Sequence, residues 1–485
     1  MEPFNEAKYK GLMDGLEAVE IDLSVCKGII DFRIDANTYK KEYVRAAIML
    51  QSLNVKSIED LMVSIQNFGA YSLCNLIEFT DAGIPFLMTQ NVQHNYIDWS
   101  NLRYIDEKSH LILHKSHCKK EQILVTMAGE YLGRVAVYDK CFICSSNQAI
   151  AKITLKSGVS PYYISTFLTS RYGQTQIQRF KTITGQPNIN MSLIKSLIVP
   201  LFSTQLYATI EDTVMLALQY RNKAVDQYKG AEALLLSALN YQPIVQTQGY
   251  SEKSFSTSFE ATGRLDAEYY QPKYDQLFTT LAAFTTNSLG GSDGIADFRK
   301  SIEPGSESYG EEGIPFVRVS DITKFGISMP EIKLPIDIVE HPEALFPKKD
   351  SILFSKDGSV GIAYKMEEDA QFITSSALLQ LTVKDTEKVL PDYLTLVLNS
   401  PVVQLQADRA ASGAVIQHWK PSEIQRVIIP VLDMSEQKKI SQMVQQSFSL
   451  RRQSEQLLDY AKEAVELAIE QGEDVAMAWL KDKVE

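Results

Sequence analysis

The sequence predicts an α+β protein built from two similar domains, each closed by a long helix. Three observations predict it. The chain has 485 residues, which at about 150 residues per domain points to two to four domains. Landmarks of the first half return in order in the second half, about 230 residues later. Two stretches of roughly 30 residues carry apolar positions at three-four spacing, the period of a helix face.

The duplicated landmarks begin with Arg33-Ile-Asp-Ala36 and Tyr39, which return as Arg264-Leu-Asp-Ala267 and Tyr270. Ile84-Pro-Phe86 returns as Ile314-Pro-Phe316. Leu124, Gly129 and Gly133 align with Leu353, Gly358 and Gly361. Ile143-Cys-Ser-Ser146 aligns with Ile373-Thr-Ser-Ser376, Pro161-Tyr-Tyr163 with Pro391-Asp-Tyr393, and Gly185 with Gly413. Ile198-Val-Pro200 aligns with Ile428-Ile-Pro430, and Gln205 with Gln437. Eight collinear matches at one offset mark a duplicated domain. Two long copies are not a solenoid array, whose units are far shorter.

Each copy has the same grammar. It opens on strand and turn signals, ILVTMAG and CFICSS in the first copy, SILFSKDGSVGIAY and FITSS in the second. A helix then starts at Pro161 or Pro391, where proline suits the first turn. A glycine-bearing loop follows, Thr184-Gly-Gln-Pro-Asn-Ile-Asn190 or Ser412-Gly-Ala-Val-Ile-Gln417. A short apolar strand ends in Pro200 or Pro430. The long helix closes the copy. In the first helix the spacing runs through Ile210, Val214, Leu218 (with Ala217), Arg221, Val225, Tyr228, Leu235 and Leu239, with Arg221 as a polar exception. In the second it runs through Ile440, Val444, Ser447, Leu450, Ser454, Leu457, Ala461, Val465 and Ala468. Helices of this length, about 45 Å, expose a stripe that an antiparallel, coiled-coil-like seam would cover. The expected divisions are a helical segment 1–27, a domain 28–200, a spacer helix 201–245, a domain 255–430, and a helix with tail 431–485.

Hydrophobic residues make up 45% and charged ones 22%, the composition of a globular chain. No run approaches the about 18 apolar residues of a membrane span, and the start, MEPFNEAKYK, lacks a secretory signal. The expected location is the cytoplasm. Five cysteines, an odd number, argue against a disulfide scaffold. The net charge is −12, yet residues 101–200 hold 13 Lys and Arg against 5 Asp and Glu. Such a local basic field is compatible with DNA, because screening confines charge effects to about 10 Å.

The duplicated organisation resembles the specificity subunit of type I restriction-modification systems, over about residues 28–475. The marks are Arg264-Leu-Asp-Ala-Glu-Tyr-Tyr270, Thr184-Gly-Gln-Pro-Asn-Ile-Asn190, and the strand-to-helix junctions Pro200 to Gln205 and Pro430 to Gln437. The resemblance implies two target recognition domains related by a pseudo-twofold axis and separated by two antiparallel helices. It implies no catalysis and no cofactor in this chain. Two DNA adenine methyltransferase subunits would bind it and carry S-adenosylmethionine, and restriction (helicase-nuclease) subunits would join through them. The role implied is phage defence by reading double-stranded DNA. Two domains on a twofold frame match the local twofold axes of a duplex, so each would read one half-site, about one turn or 10 bp apart. The copies differ, so the site would be bipartite and asymmetric. No Asn/Asp-Pro-Pro-Tyr methylation motif, Walker A loop or nuclease carboxylate cluster occurs in the sequence. A duplicated protein-binding scaffold, or the recognition subunit of another phage-defence methyltransferase assembly, stays open as an alternative.

Base readout needs Arg, Lys, amide or hydroxyl side chains aimed at base edges. The candidates in the first copy are Gln90, Asn91, Gln93, His94 and Arg134, beside the Ile-Pro-Phe strand and the glycine turn. Lys119 and Lys120 add charge for phosphates. Arg318, Ser320, Lys356, Asp357 and Ser359 are their counterparts in the second copy. The pre-helix loops add Gln186, Asn188 and Asn190, matched to Gln417, His418 and Lys420. Cys141-Phe-Ile-Cys144 has half of a zinc knuckle's spacing, with His110, His114, His117 and Cys118 upstream. The second copy reads Gln371-Phe-Ile-Thr374 there, so a plain strand without metal is expected. The glycine pairs lack a following helix and Lys-Ser/Thr, so tight turns are expected rather than phosphate loops.

Overall fold

The computed structural model describes residues 5–17, 19–69, 71–182, 185–243, 250–413 and 416–484. It is an α+β fold in two compact units, Met1–Arg221 with Arg452–Glu485, and Asn222–Arg451. Unit 1 is therefore made from both ends of the chain, while unit 2 is continuous.

Both units contain the same four-stranded antiparallel sheet. In unit 1 the order is Met62–Gln66, Ile150–Leu155, Ile123–Thr126, Val135–Val137. In unit 2 it is Ala296–Lys300, Leu378–Val383, Ile352–Ser355, Ala363–Lys365. The central strands ILVT and ILFS are buried along their whole length, as strands covered on both faces must be. Ile123 faces Ile153 in one sheet and Ile352 faces Leu381 in the other. Each unit also has a small second sheet with one parallel step, Phe86 beside Ser145 and Phe316 beside Ile373. Phe86 and Phe316 are both buried.

Paired helices follow, Pro161–Thr169 with Arg171–Phe180, and Pro391–Asn399 with Pro401–Ala410. Proline stands in the first turn of three of the four, and the Ser160 and Ser170 side chains cap the first pair. Tyr163 donates its hydroxyl to the Pro200 carbonyl at 2.6 Å, and Tyr393 to Pro430 at 2.8 Å. The Arg-x-Asp-Ala motifs close the far end of these helices. Arg33 bonds Asp35 at 2.8 Å and donates to the Phe180 and Lys181 carbonyls at 3.0 Å. Arg264 likewise bonds Asp266 and donates to the Ala410 carbonyl at 3.2 Å. Tyr39 and Tyr270 donate back to the Arg33 and Arg264 carbonyls. The motif is thus a clasp on a helix C-terminus, whose last carbonyls otherwise lack partners.

The long helices run Thr204–Ala238 and Met434–Gln471. Each gives part of its length to each unit. In unit 1, Ile210, Val214 and Ala217 share a core with Leu457, Ala461, Val465 and Ala468. In unit 2, Tyr228, Leu235 and Leu239 share one with Ile440, Val444 and Phe448. Within unit 2 the pairing is antiparallel: Ser447 Oγ donates to the Ala224 carbonyl at 2.6 Å, and Gly230 lies against Met443. The buried row passes through Ala217, which the spacing pairs with Leu218, and then through Ala224 and Ala231 rather than Val225. Small side chains let the backbones approach closely enough for a hydroxyl to reach a carbonyl. Gly472, with φ 97°, ends the second helix, and a further helix Glu473–Val484 follows.

Arg221, the polar exception, lies 3.6 Å from the centre of the Tyr96 ring and bonds Glu455 at 3.3 Å. Its equivalent Arg451 lies 3.7 Å from the Phe325 ring. Each is a cation on an aromatic face, an arrangement worth about 0.5–2 kcal/mol. Each also ties its helix to the sheet domain of its own unit.

Candidate nucleic-acid interface

In unit 1 the strand Ile84–Leu87 ends in a short turn, Thr89–Asn91. Gln93 donates to the Gln90 carbonyl at 2.7 Å and accepts from Arg134 at 2.6 Å. The Arg134 guanidinium also lies over the Tyr131 ring at 4.5 Å. Arg134 leaves the glycine turn, in which Gly129 and Gly133 take φ of 82° and 85°. Any other residue would be strained there, so these glycines serve the turn. The Gly129 amide donates to the Pro187 carbonyl at 3.0 Å, and Gln186 packs against Gly129. Gln90, Gln93, Arg134, Gln186 and Asn188 therefore line one edge, and Gln90, Gln186 and Asn188 are exposed.

Unit 2 repeats the backbone of this edge with other side chains. Gly358 and Gly361 take φ of 73° and 85°, and the Gly358 amide donates to the Gln417 carbonyl at 2.9 Å. Lys356 contacts the Asp357 carboxylate, and Asp357 accepts from His418 Nδ1 at 2.8 Å. Ser359 and His418 are exposed. Ser355 N bonds the Ile362 carbonyl as Thr126 N bonds that of Arg134. Isoleucine thus stands where unit 1 has its arginine. Arg318 and Ser320 flank Asp321, which accepts from the Arg318 amide at 2.8 Å and the Ser320 hydroxyl at 3.0 Å.

Several candidates stand apart from these edges. Asn91 is 2% exposed, and its side chain bonds the Met88 amide and the Asp98 and Ser100 carbonyls. It shapes the turn, as Asp321 does in unit 2, and has no group left for a ligand. Lys119 and Lys120 are exposed, but they precede the strand Ile123–Thr126, whereas the glycine turn follows it. His94 is exposed beside Gln93. Asn190 and Lys420 stand at the N-cap positions of the helices Met191–Ser196 and Pro421–Ile424, and the Asn190 side-chain Oδ1 accepts from Leu193 N at 2.9 Å. Thr184, Ala414 and Val415 of the pre-helix loops lie outside the described residues.

The ladder also corrects four of the sequence matches. The bridges Ala128–Asn188 and Asp357–His418 make Asn188 the partner of His418, so Gln417 answers Pro187 and not Gln186. Ser412 takes the place of Thr182, which moves Gly413 off Gly185. Leu87 pairs with Ser146 and Val317 with Thr374, two residues away from the match of the two Ser-Ser pairs. Tyr207 accepts from the Phe202 amide where Gln437 reaches the Leu432 carbonyl, and Gln205 is exposed. In three of the four cases backbone pairing overrides the match of letters.

Sequence reasoning missed the residues that hold the glycine turns. Gln174 donates to the Gly133 and Leu168 carbonyls, and Gln404 to those of Gly361 and Leu398. Both glutamines sit 230 positions apart, the only signal that could have found them.

Residues 294–459 match the family described as the type I restriction modification DNA specificity domain. Most of that match falls in unit 2, whose four-stranded sheet order unit 1 repeats. The chain is also similar to the S subunit of a type I restriction-modification system from M. genitalium, with 16% identity over 88% of this chain and 96% of that one, at a TM-score of 0.35. It is similar to the HsdS subunit from Thermoanaerobacter tengcongensis, with 14% identity over 86% of this chain and 97% of that one, at a TM-score of 0.28. No curated protein matches the chain.

The edges of the two units offer different chemistry. An arginine fork with amides suits guanine and adenine edges, whereas a lysine, an imidazole and a carboxylate mix donors with an acceptor that suits cytosine. Among the described residues no group of three or more His, Cys, Asp or Glu side chains is placed to hold a metal, and no helix is long and apolar enough to cross a membrane. The expected buried strand over Cys141–Cys144 begins only at Ser145: Cys141, Phe142 and Ile143 are exposed and only Cys144 is buried.

Proposed function

We propose that this chain is the non-catalytic sequence-reading subunit of a type I restriction-modification assembly. Each unit reads one half of a bipartite, asymmetric site in double-stranded DNA. The chain positions two adenine methyltransferase subunits, which carry S-adenosylmethionine, and restriction subunits join through them.

One observation carries this reading. The same turn-and-loop edge occurs twice on the same backbone, with Gln93, Arg134 and Asn188 in one copy and Lys356, Asp357 and His418 in the other. A duplicated scaffold with divergent exposed polar groups is what reading two different short sequences requires. The family match over unit 2 supports the choice of DNA as the ligand.

Methylome sequencing of cells carrying this chain with its methyltransferase tests it. The expected result is methylated adenines in a two-part motif with unlike halves, centred about 10 bp apart. One continuous motif, or a palindrome, would overturn the reading. Binding should also fall steeply with salt, as phosphate contacts demand.

A further inference from the structure

Lys152 is the one feature of unit 1 that neither its fold nor its edge explains. It lies in the strand Ile150–Leu155, fully buried, and its ammonium donates to Ser146 Oγ at 2.8 Å. The ionisable groups that act on it are two thiols, Cys118 and Cys144. An ammonium removed from water costs several kcal/mol unless an anion faces it. Burial accordingly pulls Lys152 down to about 8.

The thiols are placed as a pair. The Cys118 amide donates to the Cys144 carbonyl at 2.9 Å, next to the antiparallel bridge His117–Ser145. Cys118 Sγ donates to the Ser116 carbonyl at 3.8 Å and Cys144 Sγ to the Ser145 carbonyl at 3.4 Å. The neighbouring Cys144 thiol and the charge of Lys152 lower the Cys118 thiol against the opposing effect of burial. Cys144 is raised by its neighbour Cys118 and by burial. The two cysteines are thus unequal, one inclined to be a thiolate and the other to remain a thiol.

Unit 2 shows that the fold needs none of this. Gln380 occupies the place of Lys152 and donates to Thr374 Oγ1 at 3.3 Å, the counterpart of the bond to Ser146. Phe372 occupies the place of Cys144. A neutral amide and a ring fill the same space without charge or sulfur.

We propose that Cys118 and Cys144 form a redox-active dithiol site for small peroxides, with Lys152 as the cation that keeps Cys118 nucleophilic. The Cys118 thiolate attacks one oxygen of hydrogen peroxide. A sulfur–oxygen bond forms, the oxygen–oxygen bond breaks, and the departing hydroxide takes a proton to become water. Cys118 is now a sulfenic acid. The Cys144 thiol attacks that sulfur, a disulfide forms, and the hydroxyl leaves with the thiol's proton as a second water. Two thiols and one peroxide give one disulfide and two waters. The site stands whether or not the chain reads DNA.

The test uses the full chain carrying Cys141→Ser, so that position 144 is the only thiol in tryptic peptide 141–152. After exposure to hydrogen peroxide, mass spectrometry without reduction should find that peptide joined to peptide 116–119. In a chain that also carries Cys144→Ser, dimedone should trap a sulfenic acid on Cys118. Lys152→Gln, the residue unit 2 already tolerates, removes a tryptic site, so position 144 is then read in peptide 141–156, where the cross-link should form about tenfold more slowly. Oxidation at Cys26 or Cys74 with Cys118 left reduced would overturn the proposal. So would a Lys152→Gln chain that cross-links at the unsubstituted rate.

Discussion

In unit 1 Gln176 bonds both the amide and the carbonyl of Ile198 at 2.9 Å, and in unit 2 Gln406 does the same to Ile428 at 2.8 and 2.9 Å. Tyr163 and Tyr393, Gln174 and Gln404, and Arg33 and Arg264 repeat in the same way. At the exposed edge the units part company. Arg134 meets Gln93 in one, and Asp357 meets His418 in the other. They part again at one interior position, Lys152 against Gln380. The comparison teaches that duplication here kept the bonds that hold the backbone and released the side chains that backbone presents.

The comparison can be broken most sharply in the core. Phe86→Ala and Phe316→Ala should each cost about 3–5 kcal/mol in denaturant unfolding. Unequal costs would mean that the two cores are not equivalent. Gln380→Lys should cost roughly 2–4 kcal/mol, because unit 2 has no thiol to face the new charge. Lys152→Gln should be close to neutral by the same measurement.

The edge gives the next contrast. Arg134→Ala should cost about 1–3 kcal/mol of discrimination in one half-site and leave the other half unchanged. Methylome sequencing reads both halves at once. If both halves weaken together, Arg134 meets phosphate and not a base. The smallest effects belong to the buried hydroxyls. Tyr163→Phe and Tyr393→Phe should each lose about 1 kcal/mol, and by equal amounts if the duplication is kept in energy as well as geometry.

Much of the fold was legible because it rests on strong local signals. ILVT and SILFS announced buried strands, Pro161 and Pro391 announced helices, and the three-four rows announced both long helices to within six residues of their ends. The spacing set Ala217 beside Leu218 but placed the next position one residue off, at Val225 instead of Ala224. Leucine and valine outweigh alanine by eye, but close helix approach selects the small residue. The edge was legible in kind more than in register. Gln417 and Gln186 look alike in letters, yet backbone pairing assigns Gln417 to Pro187. Asn91 read as an exposed amide, and no local signal said that Met88, Asp98 and Ser100 would consume it.

The helix Met434–Gln471 gives its residues 452–471, and the helix after it, to unit 1. Leu457, Ala461, Val465, Ala476 and Leu480 are interior residues of a body whose other wall was synthesised first. The ribosome must therefore finish the whole chain before unit 1 can close, whereas Asn222–Arg451 can settle as soon as it emerges. An early stop codon anywhere beyond unit 2 would spare the later-made body and unseat the earlier one.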